Sequence, residues 1–298
     1  MRIDLHTHST ASDGTLTPAE LVIAAAAAGL DVVAITDHDT TAGWAAAEAA
    51  LPAGLTLIRG AELSCRWYGA YAHSGSQPAS GDPEHAPPIS LHLLAYLFDP
   101  ADAALAAELT RLRAGRERRA EAMVDLLRAD GIDVTWDEVR DYAAGGSVGR
   151  PHLAHALIAR GLVGTVSEAF APDWLGRRYR VPKPDIDVFR AVELIRAAGG
   201  VPVFAHPRAS VRGRIVPDSL IVELAAAGLA GLEADHEDHT PEQRAHVKTL
   251  AAELGLFVTG SSDFHGTNKT VKLGAQTTAP EAYQRMLAAA RGLAPVTA

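Results

Sequence analysis

Strand and helix signals alternate in two stretches of this chain, and a block from Asp99 to about Ala198 that carries helical signals alone separates them. This rhythm constrains the fold most, because strand–helix alternation builds a parallel sheet covered by helices. In the first stretch, Arg2–Leu5, Asp31–Thr36, Leu55–Arg59 and Ser90–Tyr96 read as strands. Thr17-Pro18-Ala19-Glu20 is a capping box with proline at the first helical position, and Gly29 ends the helix it opens. A second helix is expected around Ala42–Ala50. In the second stretch, strands at Val201–Ala205, Ala230–Ala234 and Leu256–Gly260 alternate with helices at Asp218–Ala227, from Thr240 to Gly255, and at Pro280–Arg291. The expectation is a single parallel α/β barrel. Residues 1–98 and 199–298 form its two parts, and residues 99–198 are a helical module inserted between them.

Within the module, Ala101–Ala129 has helical periodicity and many arginines, and the run Arg111–Arg119 reads as a solvated helix face. Thr135-Trp136-Asp137-Glu138 and Thr165-Val166-Ser167-Glu168 read as two further capping boxes. Gly69–Ile89, rich in Gly, Pro, Ser and His, reads as a long solvated loop. The 298 residues, 48% of them hydrophobic, suffice for one large barrel core. A formal net charge of −9 argues against long nucleic acid as a partner but leaves room for a small phosphorylated ligand at a local positive site. One cysteine, Cys65, excludes an internal disulfide and a thiolate zinc site. No apolar run reaches the roughly 18 residues of a membrane span. The opening Met-Arg-Ile-Asp-Leu-His lacks an apolar signal core, so a cytoplasmic protein is expected.

Histidines and carboxylates gather at the strand ends. His6, His8 and Asp13 follow the first strand, Asp37 and His38 the second, and Glu62 the third, while His92 lies within the fourth. His206 follows Val201–Ala205. Asp235, His236 and His239 follow Ala230–Ala234, and Asp263 and His265 follow Leu256–Gly260. In parallel barrels these ends share one face. Residues two apart in extended chain point the same way, so His6 with His8, and Asp263 with His265, can aim at one ion. Imidazole and carboxylate without thiolate suit Mn, Fe or Zn in a hydrolytic cluster, and the set exceeds what one ion needs.

The ordered motifs Asp-Leu-His-Thr-His-Ser (4–9), Thr-Asp-His-Asp (36–39), Gly-Ala-Glu (60–62), Ala-His-Pro (205–207) and Gly-Ser-Ser-Asp-Phe-His (260–265) resemble the PHP (polymerase and histidinol phosphatase) family. The resemblance implies a distorted seven-stranded, TIM-like (β/α) barrel with a trinuclear metal cluster. It assigns the ligand places to His6, His8, Asp13, His38, Glu62, His92, His206, Asp263 and His265. His92 matches least well, because the 69–89 loop separates it from Glu62. Asp13, Asp263 and His265 would hold a metal-activated hydroxide, with Asp37 orienting a ligand. Two or three divalent ions are implied, manganese first, with iron or zinc as alternatives. The helical insertion and Gly-Arg-Pro-His (149–152) resemble the stand-alone branch acting on nucleoside 3′,5′-bisphosphates and short RNA 5′ ends.

Arg150 is the leading phosphate contact, since a guanidinium matches phosphate with two prongs at a helix start. His152, His239, Lys183 and Arg208 are further substrate candidates, with Lys269 and His236 behind them. The rival readings are a histidinol phosphatase, an amidohydrolase, and a metal-binding PHP domain without activity.

Overall fold

A computed structural model describes residues 1–69, 88–183 and 185–298. Its elements, in chain order, are β1 (Ile3–Asp4), α1 (Pro18–Ala27), β2 (Val32–Ile35), α2 (Trp44–Ala49), β3 (Thr56–Trp67), β4 (Ile89–Tyr96), α3 (Ala103–Ala129), α4 (Trp136–Ala143), α5 (Arg150–Ala159), α6 (Val166–Ala169), β5 (Ile186–Asp187), α7 (Val188–Ala197), β6 (Val201–Phe204), α8 (Asp218–Ala227), β7 (Gly231–Asp235), α9 (Pro241–Glu253), β8 (Phe257–Gly260), α10 (Pro280–Ala289) and β9 (Val296–Thr297). The long loop expected at 69–89, with His73 and His85, falls almost wholly outside the described residues.

Seven strands run in the order β1-β2-β3-β4-β6-β7-β8, and β5 and β9 pair with β3 beside that path. Thr7, just past β1, bridges in parallel to Phe264, just past β8, and brings the ends together as a nearly closed barrel. The expectation of a wholly parallel barrel is corrected at one strand. β4 runs antiparallel to both β3 and β6. The cause is the length of β3. Its pairing with β2 ends at Arg59, but the strand continues to Trp67, and β4 returns along that extension from Trp67↔Ile89 to Gly60↔Tyr96. Two consequences follow for the site. Glu62 stands inside β3 rather than after a strand, and His92 sits opposite Ser64, close to Glu62 whatever the length of the intervening loop.

Alternate strand residues divide between two apolar clusters, as the two-residue period of a strand requires. Val33, Leu57 and Leu93 pack with α1, α7, α8 and α9, whereas Val32, Ala34, Ile58, Leu94 and Val203 face one another and Tyr283 and Met286 of α10. A third cluster, from Ala120 to Tyr179, joins the second half of α3 to α4 and α5. Leu105, Leu109 and Leu112 in the first half of α3, and most of α7, belong instead to the barrel's outer cluster. Thr17 and Thr135 form complete capping boxes. At Thr165 only half of the expected box is present, because the Glu168 carboxylate accepts from the Gly164 N–H instead. Among the described residues no helix is long and apolar enough to cross a membrane.

Candidate metal centre

Glu62 is the hub of the strand-end side chains. Its Oε2 lies 3.2 Å from His6 Nε2, 3.1 Å from His8 Nε2 and 3.1 Å from His38 Nδ1. Its Oε1 lies 2.7 Å from His92 Nδ1 and 3.2 Å from His206 Nε2. Asp263 Oδ1 is 3.3 Å from both His6 and His8, and Asp13 Oδ1 is 3.4 Å from His265 Nε2. The nine positions expected as ligands are therefore gathered in one place. Three overlapping sets offer donor atoms within 4.8 Å of one another: His6, His8, Glu62 and Asp263; His8, Asp13, His38 and His265; His38, Glu62 and His92. Asp13 Oδ1, His38 Nδ1 and His92 Nδ1 are buried without a hydrogen bond, although each is close to an opposite group. Lone pairs crowded together and left unpaired fit a cation between them, not a self-contained hydrogen-bond network.

The backbone at this face is shaped for the purpose. Asp39, His206 and Asp263 adopt left-handed φ of 56°, 34° and 52°, a conformation uncommon outside glycine. Gly14 closes the turn after His8 so tightly that a Cβ there would stand 2.2 Å from the His8 carbonyl oxygen. Asp37 accepts from Ser9 N–H and Ser9 Oγ–H at 2.8 and 2.6 Å and from Ser12 Oγ–H at 2.6 Å. Ser12 in turn lies 3.4 Å from His8 Nδ1, so Asp37 fixes that imidazole through the serine.

Burial opposes charge throughout the cluster, and the neighbours decide which groups keep it. Against burial, the histidines around Asp13 and Glu62 hold both carboxyls well below their usual range. Asp263 is held down by Lys269, His6 and Arg212. Burial and Arg212 push His206 down to about 3, and burial, Lys269 and His8 push His265 down to about 4. Against burial, Asp263 and Glu62 raise His8 to about 9, and with Glu233 they raise His6 well above its ordinary value. The carboxylates thus hold protons on His6 and His8, and a cation entering the site would displace them.

Glu233 and Arg212 were not anticipated, and His236 and Lys269, the lesser substrate candidates, stand beside Asp263. Glu233, fully buried inside β7, lies 3.1 Å from His6 Nδ1 and accepts from the His206 N–H at 2.8 Å. The signal for it is a carboxylate between Leu232 and Ala234 in the buried part of the strand. His236 Nε2 is 3.3 Å from Asp263. Arg212, braced by Asp238, and Lys269 donate to Asp263 Oδ2 at 2.6 and 2.5 Å. Arg116 corrects the expectation of a solvated arginine face. It is buried, pairs with Asp39 and donates to Ser64 Oγ at 2.6 Å. The module also meets the barrel where Ser147 N–H donates to the Ala11 carbonyl and His155 pairs with Asn268, which donates to the Asp13 carbonyl.

The expected substrate contacts divide. Arg150 stacks on Phe170, 4.7 Å from the ring centre, and feels the charge of Asp13. Lys183 Nζ is 3.2 Å from His92 Nε2. His152 spends Nδ1 on the Gly149 N–H, capping α5. Two readings are corrected. His239 has both ring nitrogens engaged by backbone, at the Ala234 carbonyl and the Arg208 N–H, so neither is free for a substrate. Arg208 is tied to the Val216 carbonyl and Asp218 and acts as a brace for that loop.

A family model for the PHP domain matches residues 4–128. A 5′-3′ exoribonuclease of Haemophilus influenzae is 36% identical over 92% of this chain and 93% of its own length. A 3′,5′-nucleoside bisphosphate phosphatase of Chromobacterium violaceum is 34% identical over 88% of this chain and 87% of its own. This chain belongs to the PHP family. A crystal structure from Bifidobacterium adolescentis, solved under the name of a metal-dependent phosphoesterase, has the same PHP fold. It is 36% identical, covers 98% of this chain and 97% of its own, and superposes with a TM-score of 0.85. The distorted barrel is thus the PHP barrel, and the chain is a metal-dependent phosphoesterase.

Proposed function

We propose that His6, His8, Asp13, His38, Glu62, His92, His206, Asp263 and His265 hold two or three divalent ions, manganese foremost, with iron or zinc as alternatives. The observation that carries this reading is the set of buried, unpaired donor atoms on Asp13, His38 and His92 around Glu62. Bound ions at such a site supply Lewis acidity toward a phosphoryl oxygen and lower the pKa of water toward neutrality. The protein's own residues then have defined tasks. Asp37 and Glu233 fix the rings of His8 and His6. Arg212 and Lys269 place cationic donors beside Asp263, where negative charge on a substrate is neutralised.

The substrate proposed is a phosphate ester of a small nucleotide, either a monoester of a nucleoside 3′,5′-bisphosphate or the first phosphodiester at the 5′ end of a short RNA. Two relatives named for those activities support this, as does Arg150 facing Asp13 from the module. The same proposal treats the inserted block 99–198 as a cap on the metal face through its Ala120–Tyr179 cluster, while the first half of α3 and α7 pack on the barrel. A cytoplasmic location accords with a lone, buried, free cysteine.

The test has two arms. Elemental analysis after gentle purification is expected to find two to three transition-metal ions per chain, roughly as the nine donors allow. Less than about one ion, with none regained on dialysis against Mn²⁺, overturns the metal reading. With Mn²⁺, release of phosphate from adenosine 3′,5′-bisphosphate, or of a mononucleotide from a 5′-phosphorylated trinucleotide, is expected to be faster than release of phosphate from histidinol phosphate. The reverse order rejects the substrate class and leaves the metal centre standing.

A further inference from the structure

One of the proposed ligands stands apart from the others. His206 alone among them belongs to none of the three sets of converging donors. Its Nε2 faces two groups. Glu62 Oε1 lies 3.2 Å away, and that oxygen is 2.7 Å from His92 Nδ1, so the three atoms outline a further ion position. Arg212 reaches the same nitrogen from the solvent side, with Nη1 3.1 Å from Nε2. A guanidinium has donors only, so this contact takes the Nε2 lone pair. An imidazole nitrogen has one such pair in the ring plane, and a metal ion binds through it. Arg212 and an ion at this position therefore exclude each other.

The rest of the guanidinium is held as well. Nε donates to Asp238 Oδ2 and Nη2 to Asp263 Oδ2, both at 2.6 Å. The second contact leaves Asp263 Oδ1 facing His6 and His8, so Arg212 does not obstruct that donor set. None of the three contacts involves Asp13, His38 or His265. The position beside His206 is also the one with the least negative charge to itself. Its carboxylate is Glu62, whose other oxygen is already turned to His6, His8 and His38. The segment that carries Arg212 has room to give way. It is a single 3₁₀ turn, Ser210–Arg212, followed by Gly213 at φ 138°, where an added Cβ would meet nothing within 4 Å. Val211 in the same turn is 77% exposed. Asp238, itself partly exposed, offers the guanidinium an acceptor away from His206.

We infer that Arg212 competes with one ion for the His206 lone pair, and so decides whether the centre holds two ions or three. The inference rests on the metal reading above and specifies what sets the ion count. Arg212 is on this account a positioning residue. Seated on His206, it confines ions to the donor sets built on Asp263 and on Asp13. Turned outward, it frees the position between Glu62, His92 and His206.

Mn²⁺ binding to chelator-stripped protein, followed by equilibrium dialysis and calorimetry at one pH, tests this without reference to turnover. Wild type should bind two ions tightly and a third weakly. Arg212→Ala should tighten the third roughly ten- to a hundredfold, the scale of one charge-assisted hydrogen bond withdrawn from the competition. Arg212→Met, which keeps much of the apolar stem, should do the same. Arg212 lies on an exposed turn, so both variants should fold. In a His206→Ala background, Arg212→Ala should add no ion. A gain of the same size without His206 would reduce Arg212 to a general positive charge and overturn the inference. Equal ion numbers and affinities in wild type and both Arg212 variants, or a weaker third ion in the variants, would overturn it too while leaving the metal centre standing. If wild type and variants alike bind less than about one ion, the metal reading fails and the inference falls with it.

Discussion

The barrel face and the helical module differ both in charge and in the kind of backbone that presents it. The barrel contributes buried imidazoles and carboxylates from strand ends, held in place by left-handed residues and short turns. The module contributes guanidiniums from helix sides and from a segment without regular structure, at Arg116, Arg119, Arg150 and Arg180. A strand end fixes the direction of a side chain closely, as a cluster of ions requires. A helix side carries a long, adjustable cation, which suits holding an anion of variable position. Under the proposed function, the contrast assigns chemistry to the barrel and selection to the module, and each half of it can be tested.

The largest effect belongs to the barrel. Asp263→Asn keeps the shape and tolerates the φ of 52° while removing the charge. It should lower turnover on the order of a hundred- to a thousandfold or more, the scale of losing a major electrostatic element. His8→Ala should do the same, and both variants should show a folded circular dichroism spectrum and reduced metal content. Full activity in either would break the assignment of the centre.

The next effect falls on the join between the regions. Arg116→Ala strips a buried carboxylate, Asp39, of its partner. Loss of one member of such a pair costs about 3–5 kcal/mol. Chemical denaturation should show this, and adding Asp39→Asn should recover part of it. A change below about 1 kcal/mol would mean that Arg116 is as solvated as its neighbours.

This difference in presentation also explains what could be read in the sequence. Strand ends are marked by apolar runs, so His6, His8, His38, His206, Asp263 and His265 stood out by position. Glu62 and His92 fell into the same site for another reason, because β3 overshoots β2 and β4 folds back along it. No local signal distinguishes that antiparallel return from one more parallel strand. Arg116 was hidden in a run of similar residues, since composition does not say which face of α3 meets the barrel. His239 looked available because its position is right, yet its two nitrogens are spent on backbone groups that the sequence does not display.

Glu233→Gln probes the support beneath the barrel ligands. Partners of this kind tune affinity or activity by about ten- to a hundredfold. Weaker Mn²⁺ binding in a competition titration is expected, with a smaller change in stability than for Arg116→Ala. Unaltered metal affinity would reduce Glu233 to a core residue.

The charge states of the barrel face predict opposite pH limbs. In the metal-free protein His8 is raised from 6.5 to about 9, so its contribution to stability is complete below 6.5 and is lost as pH rises toward 9. His206 and His265, lowered from 6.5 to about 3 and 4, act in the other direction, and stability is lost as pH falls from 6.5 toward 4. The melting temperature of chelated protein should therefore peak near the ordinary histidine value. On the proposed ligand set, ions would displace the protons on His6 and His8, so the stabilisation by Mn²⁺ should grow from pH 6.5 to 9, by about 2–4 °C per kcal/mol for a chain of this size. A metal-induced shift that shrinks over that interval would contradict the assigned charge states.

The smallest effect is expected within the module, and it tests whether the arginine run is a single feature. Arg116, Arg118 and Arg119 occupy one helix at about 100° per residue. Positions 116 and 119, three apart, share a side, with Arg116 donating to Ser64 of β3 and Arg119 to the Val181 carbonyl. Arg118 points the other way and is exposed. Arg118→Gln should change stability by no more than about 0.5 kcal/mol, as for a surface position without a structural role. It should leave kcat/KM within about twofold on mono- and bisphosphate alike, since a charge facing bulk solvent is screened within about 10 Å. Arg119→Gln, one residue away, should cost more stability, because it gives up the bond to the Val181 carbonyl. If Arg118→Gln cost as much, the run would be acting through its total charge, and the distinction between directed and solvated arginines on one helix would fail.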